Sequence, residues 1–227
     1  MRYKNLVVIG TSHIAAQSLN EVKAALMENP DIVALELDHK RMHALLSERG
    51  QHVGLSSVKQ LGIKGFLFVL VGSFVQRRLG KLVGMEPGSE MKAAFLIARE
   101  KNLPVALIDQ DIEVTIRNLS KSLSWKEKMH FAADLLNGLF FGKKHMKSMG
   151  ITFDLSTVPS KELISRILKK VEARYPALYK VLVSDRNELM AGRLAGIMKN
   201  NPDKSILAVV GAGHEEDIIG LIKKYEL

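Results

Sequence analysis

Four short stretches of this chain are apolar at nearly every position rather than at every second one. They are Asn5-Leu-Val-Val-Ile-Gly10, Ile32-Val-Ala-Leu-Glu36, Pro104 to Ile108, and Ile206-Leu-Ala-Val-Val-Gly211. Runs of this length, rich in β-branched residues, predict strands buried on both faces, as in a parallel sheet. Between the first two, Leu19, Val22, Ala25 and Leu26 recur at helical spacing over Ser18 to Glu28, and Asn29-Pro30 stops the helix. Strand, helix and strand in so short a span form a βαβ unit, which requires a parallel pair with a right-handed crossover.

The rest of the pattern is mostly helical. Helices are expected over His39 to Arg49 and Ser57 to about Leu82. After a break at Gly84 to Gly88, Ser89 is the expected N-cap of a helix through Glu90 to Lys101. Asp111 to Leu119 follows the third strand. Ser124 with Glu127 forms a capping-box pattern that opens another helix. Further helices are expected from Pro159-Ser160 to about Ala173, from Tyr175-Pro176 to about Asn200, and over Glu216 to Tyr225. The fold class is therefore α/β: a mainly parallel central sheet flanked by many helices, with a helix-rich insertion between the third and last core strands. A single domain over 1–227 is expected, with a helical subdomain at about 117–200.

Composition narrows the chemistry. There is no cysteine among the 227 residues, so any metal must be held by His, Asp or Glu. The amino terminus lacks the pattern of a signal peptide, and the longest apolar run, Gly65 to Val75, is about half the length that spans a bilayer. A cytoplasmic location is the expectation. The formal charge of +9 would suit an anionic partner, but its lysines and arginines are scattered and no stretch interleaves them with aromatics. Nucleic acid is thereby disfavoured, while peripheral contact with an anionic membrane stays open. The run 65–75, apolar all round, reads as buried core, with a homodimer interface or a substrate groove as alternatives.

The candidate chemistry sits where strands end. Gly10-Thr-Ser-His13 follows the first strand and Gly211-Ala-Gly-His214 the last, a repeated strand-GxxH. Open α/β sheets bind ligands outside the carboxyl ends of their strands. If the two strands are parallel neighbours, both imidazoles converge there. Glu36, with Asp38 and Arg41 beyond it, ends the second strand, and Asp109 the third. A carboxylate ending an apolar strand is costly to desolvate unless it is paired, protonated or bound to a cation. His13, His214 and Glu36 are a ligand set for a divalent ion, with Mn, Co and Zn not distinguished. Ser12, Arg41 and Asp109 are candidate substrate-binding residues. The plainer alternatives are helix-capping histidines, and Asp109 as an N-cap or turn residue.

These motifs, with Pro87-Gly-Ser-Glu90-Met and Asp185-Arg186-Asn187, resemble the TraB/PrgY/GumN family over about residues 5–220. That group is related to the Tiki proteins, which are metal-dependent proteases, and more widely to erythromycin-esterase-like and ChaN-like proteins. TraB and PrgY are associated with limiting a peptide pheromone signal. Many relatives carry carboxy-terminal membrane helices, and none is expected in this sequence. The resemblance implies that His13 and His214 occupy the paired GxxH motifs, Glu36 the first acidic motif, Glu90 the second and Arg186 the late arginine position. Glu90 and Arg186 then join Glu36 as candidate catalytic residues. Glu90 would act as ligand or base, against the alternative of a helix-stabilising first-turn glutamate. Arg186 would clamp a carboxylate or an oxyanion, against a surface ion pair with Glu188 or Asp185.

Three functions follow as expectations. The first is a metal-dependent, peptidase-like hydrolase of a peptide or small acyl substrate. The second keeps the site without the metal, with His13 or His214 and Glu36 activating water as in an esterase. The third is a regulatory or binding protein that uses the basic surface and the apolar helix.

Overall fold

The computed structural model describes residues 1–11, 16–47, 88–131, 133–134 and 161–225. The expected helix at Ser57 to Leu82 and the apolar run 65–75 lie outside them, as do Ser12 and His13. In chain order the elements are β1 (Arg2–Tyr3), β2 (Leu6–Thr11), α1 (Ala16–Met27), β3 (Ile32–Leu35), α2 (His39–Leu46), α3 (Ser89–Glu100), β4 (Val105–Leu107) and α4 (Ile112–Ser122). They continue with α5 (Lys161–Arg174), α6 (Pro176–Tyr179), a π-helical turn (Lys180–Ser184), α7 (Asp185–Asn200), β5 (Ile206–Gly211) and α8 (Glu215–Tyr225). Residues 125–131 are also helical.

The five strands form one sheet in the order β1-β2-β5-β3-β4. All pairs are parallel except the β1–β2 edge, where Arg2 faces Val7. The chain is thus mixed α/β with a mostly parallel sheet, and the four apolar runs are its parallel strands. The last strand in sequence lies in the middle of the sheet, between the two strands of the first βαβ unit.

Alternate residues of each strand face opposite layers. Leu6, Val8, Ile32, Ala34, Ile206, Ala208 and Val210 pack with Met190, Ala191, Leu194 and Met198 of α7 and Ile218, Ile219 and Ile222 of α8. Val33, Leu35, Leu207 and Val209 pack on the other side with Val22 and Leu26 of α1, Met42 of α2, and Met91, Ala94 and Ala98 of α3. Each fully buried valine, leucine, isoleucine or methionine among them stabilises the fold by roughly 1.5–3 kcal/mol through removal of apolar surface from water.

Local signals set the helix ends. Asn29 and Asn102, at φ 53° and 55°, take the left-handed conformation just beyond α1 and α3, a conformation asparagine tolerates. Asp38 caps α2 by accepting from Lys40 N and Arg41 N, and Asp111 caps α4 by accepting from Glu113 N. The expectation for Ser89 is corrected. Gly88, at φ 85°, is the N-cap, and Ser89 is the first helical residue, its hydroxyl buried and without a hydrogen-bond partner among the described residues. The capping box holds: Glu127 Oε2 accepts from Ser124 N at 3.0 Å, and Glu127 N donates to Ser124 Oγ at 3.2 Å.

Candidate active site at the carboxyl edge of the sheet

The register of β2 against β5 settles how the strands that lead into the two GxxH segments relate. Gly10 pairs with Val210 and Thr11 with Gly211, so the strands are adjacent, parallel and end together. The loop after β5 closes tightly over Gly10. A Cβ there would lie 2.9 Å from Glu215 Oε2 and 3.0 Å from the Ala212 Cα, so only glycine fits without displacing backbone.

Glu36 follows β3 and is 3% exposed. Its Oε2 accepts from Gly211 N at 2.5 Å, which ties the end of β3 to the loop carrying His214. Its Oε1 accepts from Arg186 Nη2 and lies 3.5 Å from His214 Nε2. Asp109, following β4, is equally enclosed. Its Oδ1 accepts from Gln110 N at 2.7 Å and Arg186 Nε at 2.8 Å; its Oδ2 accepts from Arg41 Nη1 and Arg186 Nη2, both at 2.8 Å. Asp109 is therefore the anchor of two arginines, and its neighbour Asp111 serves as the N-cap.

Arg186 enters from the first turn of α7. The preceding π-turn, in which Asp185 N–H reaches back five residues to Lys180 O, offers the Leu182 carbonyl to Arg186 Nη1 at 3.0 Å. Nη1 also lies 3.5 Å from His214 Nε2. All five N–H directions of the guanidinium thus face protein groups: Asp109 twice, Glu36, Leu182 O and His214. The surface pair with Asp185 or Glu188 is not formed; Asp185 instead bonds Lys180. Burial by itself would lower the Arg186 pKa, but the charges and hydrogen bonds of Glu36 and Asp109 outweigh it and raise it.

His214 is held from its other side. Its Nδ1 lies 2.5 Å from Asn187 Oδ1, and Asn187 Nδ2 donates to Asp217 Oδ2 at 2.9 Å. Five expected site residues, Glu36, Asp109, Arg41, Arg186 and His214, thus form one connected cluster. Glu90 is buried in the first turn of α3, at 1% exposure. Sequence reasoning gave no role to Asn187, or to Arg193, whose Nη1 donates to Asp109 O at 2.7 Å. A signal for Asn187 existed: it falls on the buried stripe of α7 with Met190, Ala191, Leu194 and Met198. A polar side chain at a core position needs a polar partner.

The donor chemistry fits a divalent ion in part. A nitrogen and an oxygen 3.5 Å apart are too far for a good hydrogen bond. They match the ligand separation of about 3.4 Å implied by tetrahedral bonds of about 2.0–2.2 Å. Arg186 Nη2 donates to that same Glu36 oxygen, so an ion there would share it with the guanidinium. Among the described residues no three His, Asp or Glu side chains gather as a complete ligand set. A cavity of about 180 Å³ adjoins the β5–α8 loop, lined in part by Leu168, Tyr179, Gly213 and Asp217.

These features define an α/β protein with a buried His–Glu–Arg cluster at the carboxyl edge of its sheet. The chain belongs to the TraB/PrgY/gumN family, whose sequence profile matches residues 3–226. It is 35% identical over 227 residues to an uncharacterized protein of Methanocaldococcus jannaschii, covering 98% of this chain and 54% of that protein. TraB domain-containing proteins of Homo sapiens and Mus musculus are each 25% identical over 234 residues, 91% of this chain and 60% of theirs. The chain therefore spans little more than half the length of these relatives. Among the described residues no helix is long and apolar enough to cross a membrane.

Proposed function

We propose that this chain is a hydrolase of peptide or related acyl bonds, with His214 and Glu36 holding a divalent ion and its water. The observation that carries the reading is the approach of His214 Nε2 to Glu36 Oε1, 3.5 Å apart and nearly buried at the carboxyl edge of a parallel sheet. A bound ion would lower the pKa of water and polarise the acyl oxygen. His214 and Glu36 are two of its holders, and His13, two residues beyond Thr11 in sequence, is the third in this reading.

The remaining residues act through these. Gly211 N–H fixes one oxygen of Glu36 and turns the other toward His214. Arg186 aims Glu36 by donating to its Oε1, and Asp109 with Arg41 keeps Arg186 in place. Arg186 is thus a positioning residue here rather than a clamp on substrate. Protein purified without chelators is expected to carry metal and to cleave unstructured peptides, and His214→Ala to lose both. Stoichiometric metal in a His13→Ala/His214→Ala double variant would contradict the reading.

A second reading uses the same site without metal. His214 Nε2, next to the Arg186 guanidinium and Glu36, would take a proton from water directly. Turnover unchanged after exhaustive chelation would favour it.

A further inference from the structure

Asn187 is 1% exposed, so both ends of its amide must be satisfied from within the protein. One end faces the Asp217 carboxylate at 2.9 Å and the other faces His214 Nδ1 at 2.5 Å. An ionised carboxylate only accepts hydrogen bonds. The amide must therefore present its NH₂ to Asp217, since the reverse orientation would set two oxygens against each other. That choice leaves the amide oxygen toward His214. An oxygen accepts, so Nδ1 must carry the proton.

We propose that Asp217 and Asn187 are a two-step positioning relay that fixes neutral His214 as its Nδ1–H tautomer, with the Nε2 lone pair turned into the site. On the far side Nε2 lies 3.5 Å from both Arg186 Nη1, a donor, and Glu36 Oε1, an acceptor, so the tautomer is set from the Asn187 side. The relay runs from the first turn of α8 through the first turn of α7 to the loop after β5, so it also couples the orientation of three elements. Both metal binding and general-base chemistry need the lone pair on the inward nitrogen, and a second partner on the outward N–H is how a ligating histidine is oriented. The proton position itself depends on neither function.

The test is nitrogen NMR of the metal-free full chain labelled at histidine, at a pH where the imidazoles are neutral. The His214 signals are identified by their loss in His214→Gln. The wild-type protein is expected to show a protonated Nδ1 and an unprotonated Nε2. A protonated Nε2 would overturn the proposal. Asp217 is exposed, so Asp217→Asn leaves the core intact, while its amide can donate as well as accept and no longer dictates how Asn187 is turned. The His214 signals are then expected to move toward the Nε2–H form. An unchanged pattern in Asp217→Asn would remove Asp217 from the relay. Because no metal or substrate is present, these outcomes are separate from success or failure of the hydrolase reading.

Discussion

At the scale of single residues, Arg186 is where most of the site's geometry is decided. It serves two buried carboxylates from adjacent strands, Glu36 and Asp109. Arg186→Gln removes their shared cation, and a loss of about 3 kcal/mol is expected by urea denaturation, because breaking a buried pair leaves charge uncompensated. Arg186→Lys should recover only part of it, since an ammonium cannot form the fork to Asp109. Gly10→Ala should cost about 1–3 kcal/mol by thermal unfolding, since its Cβ would press on the Ala212 backbone at 3.0 Å. Much of this site was legible in the sequence. Glu36, Asp109 and His214 could be picked out because each follows an apolar strand, where a polar side chain is conspicuous. What Arg186 grips was not legible: its partners are 77 and 150 residues away, and no local spacing encodes such a pairing.

At the scale of elements, the Ser124–Glu127 capping box was legible from its spacing. Asp38 and Asp111 also cap their helices by side chain, but neither was expected as a cap from the sequence. Gly88 escaped notice as a cap because its left-handed backbone, not a side chain, turns the chain into α3. The two-residue β1 was missed for want of any periodicity. Glu127 does more than its capping box requires, since its Oε1 also accepts from Ala177 N at 2.7 Å, at the start of α6. Burial would raise the Glu127 pKa, but hydrogen bonds from Ser124, Ala177 and Leu178 outweigh it and hold it below the usual 4.5. The folded value being the lower one, the carboxylate contributes stability at pH above the unfolded value and loses it as pH falls through the folded one. Glu127→Ala should therefore cost about 1–2 kcal/mol at pH 7, with the gap to wild type narrowing as the carboxyl titrates in acid. Stability curves of both proteins between neutral and acid pH check this.

At the scale of the whole molecule, the strand order carries the consequence. Apolar runs identify the strands, but nothing in their periodicity says that the last would insert between the first two. That insertion brings His214 beside Glu36 and sets the strand ends at Thr11 and Gly211 side by side. Because β5 is the central strand and its residues are buried throughout, its amides are expected to be among the slowest to exchange with solvent hydrogen. Fast exchange at Leu207 to Val209, measured by native-state hydrogen exchange, would mean that the sheet is not organised around β5. The same insertion underlies the central claim, that the carboxyl edge of this sheet is a metal-holding hydrolytic site. The most direct measurement is a crystal structure of protein loaded with Mn, Co or Zn, with the ion located by anomalous scattering. An anomalous peak within about 2.0–2.2 Å of His214 Nε2 and a Glu36 oxygen is the expected result. An ion bound elsewhere, with Glu36 still held by Arg186 and His214 bearing no metal, would contradict it.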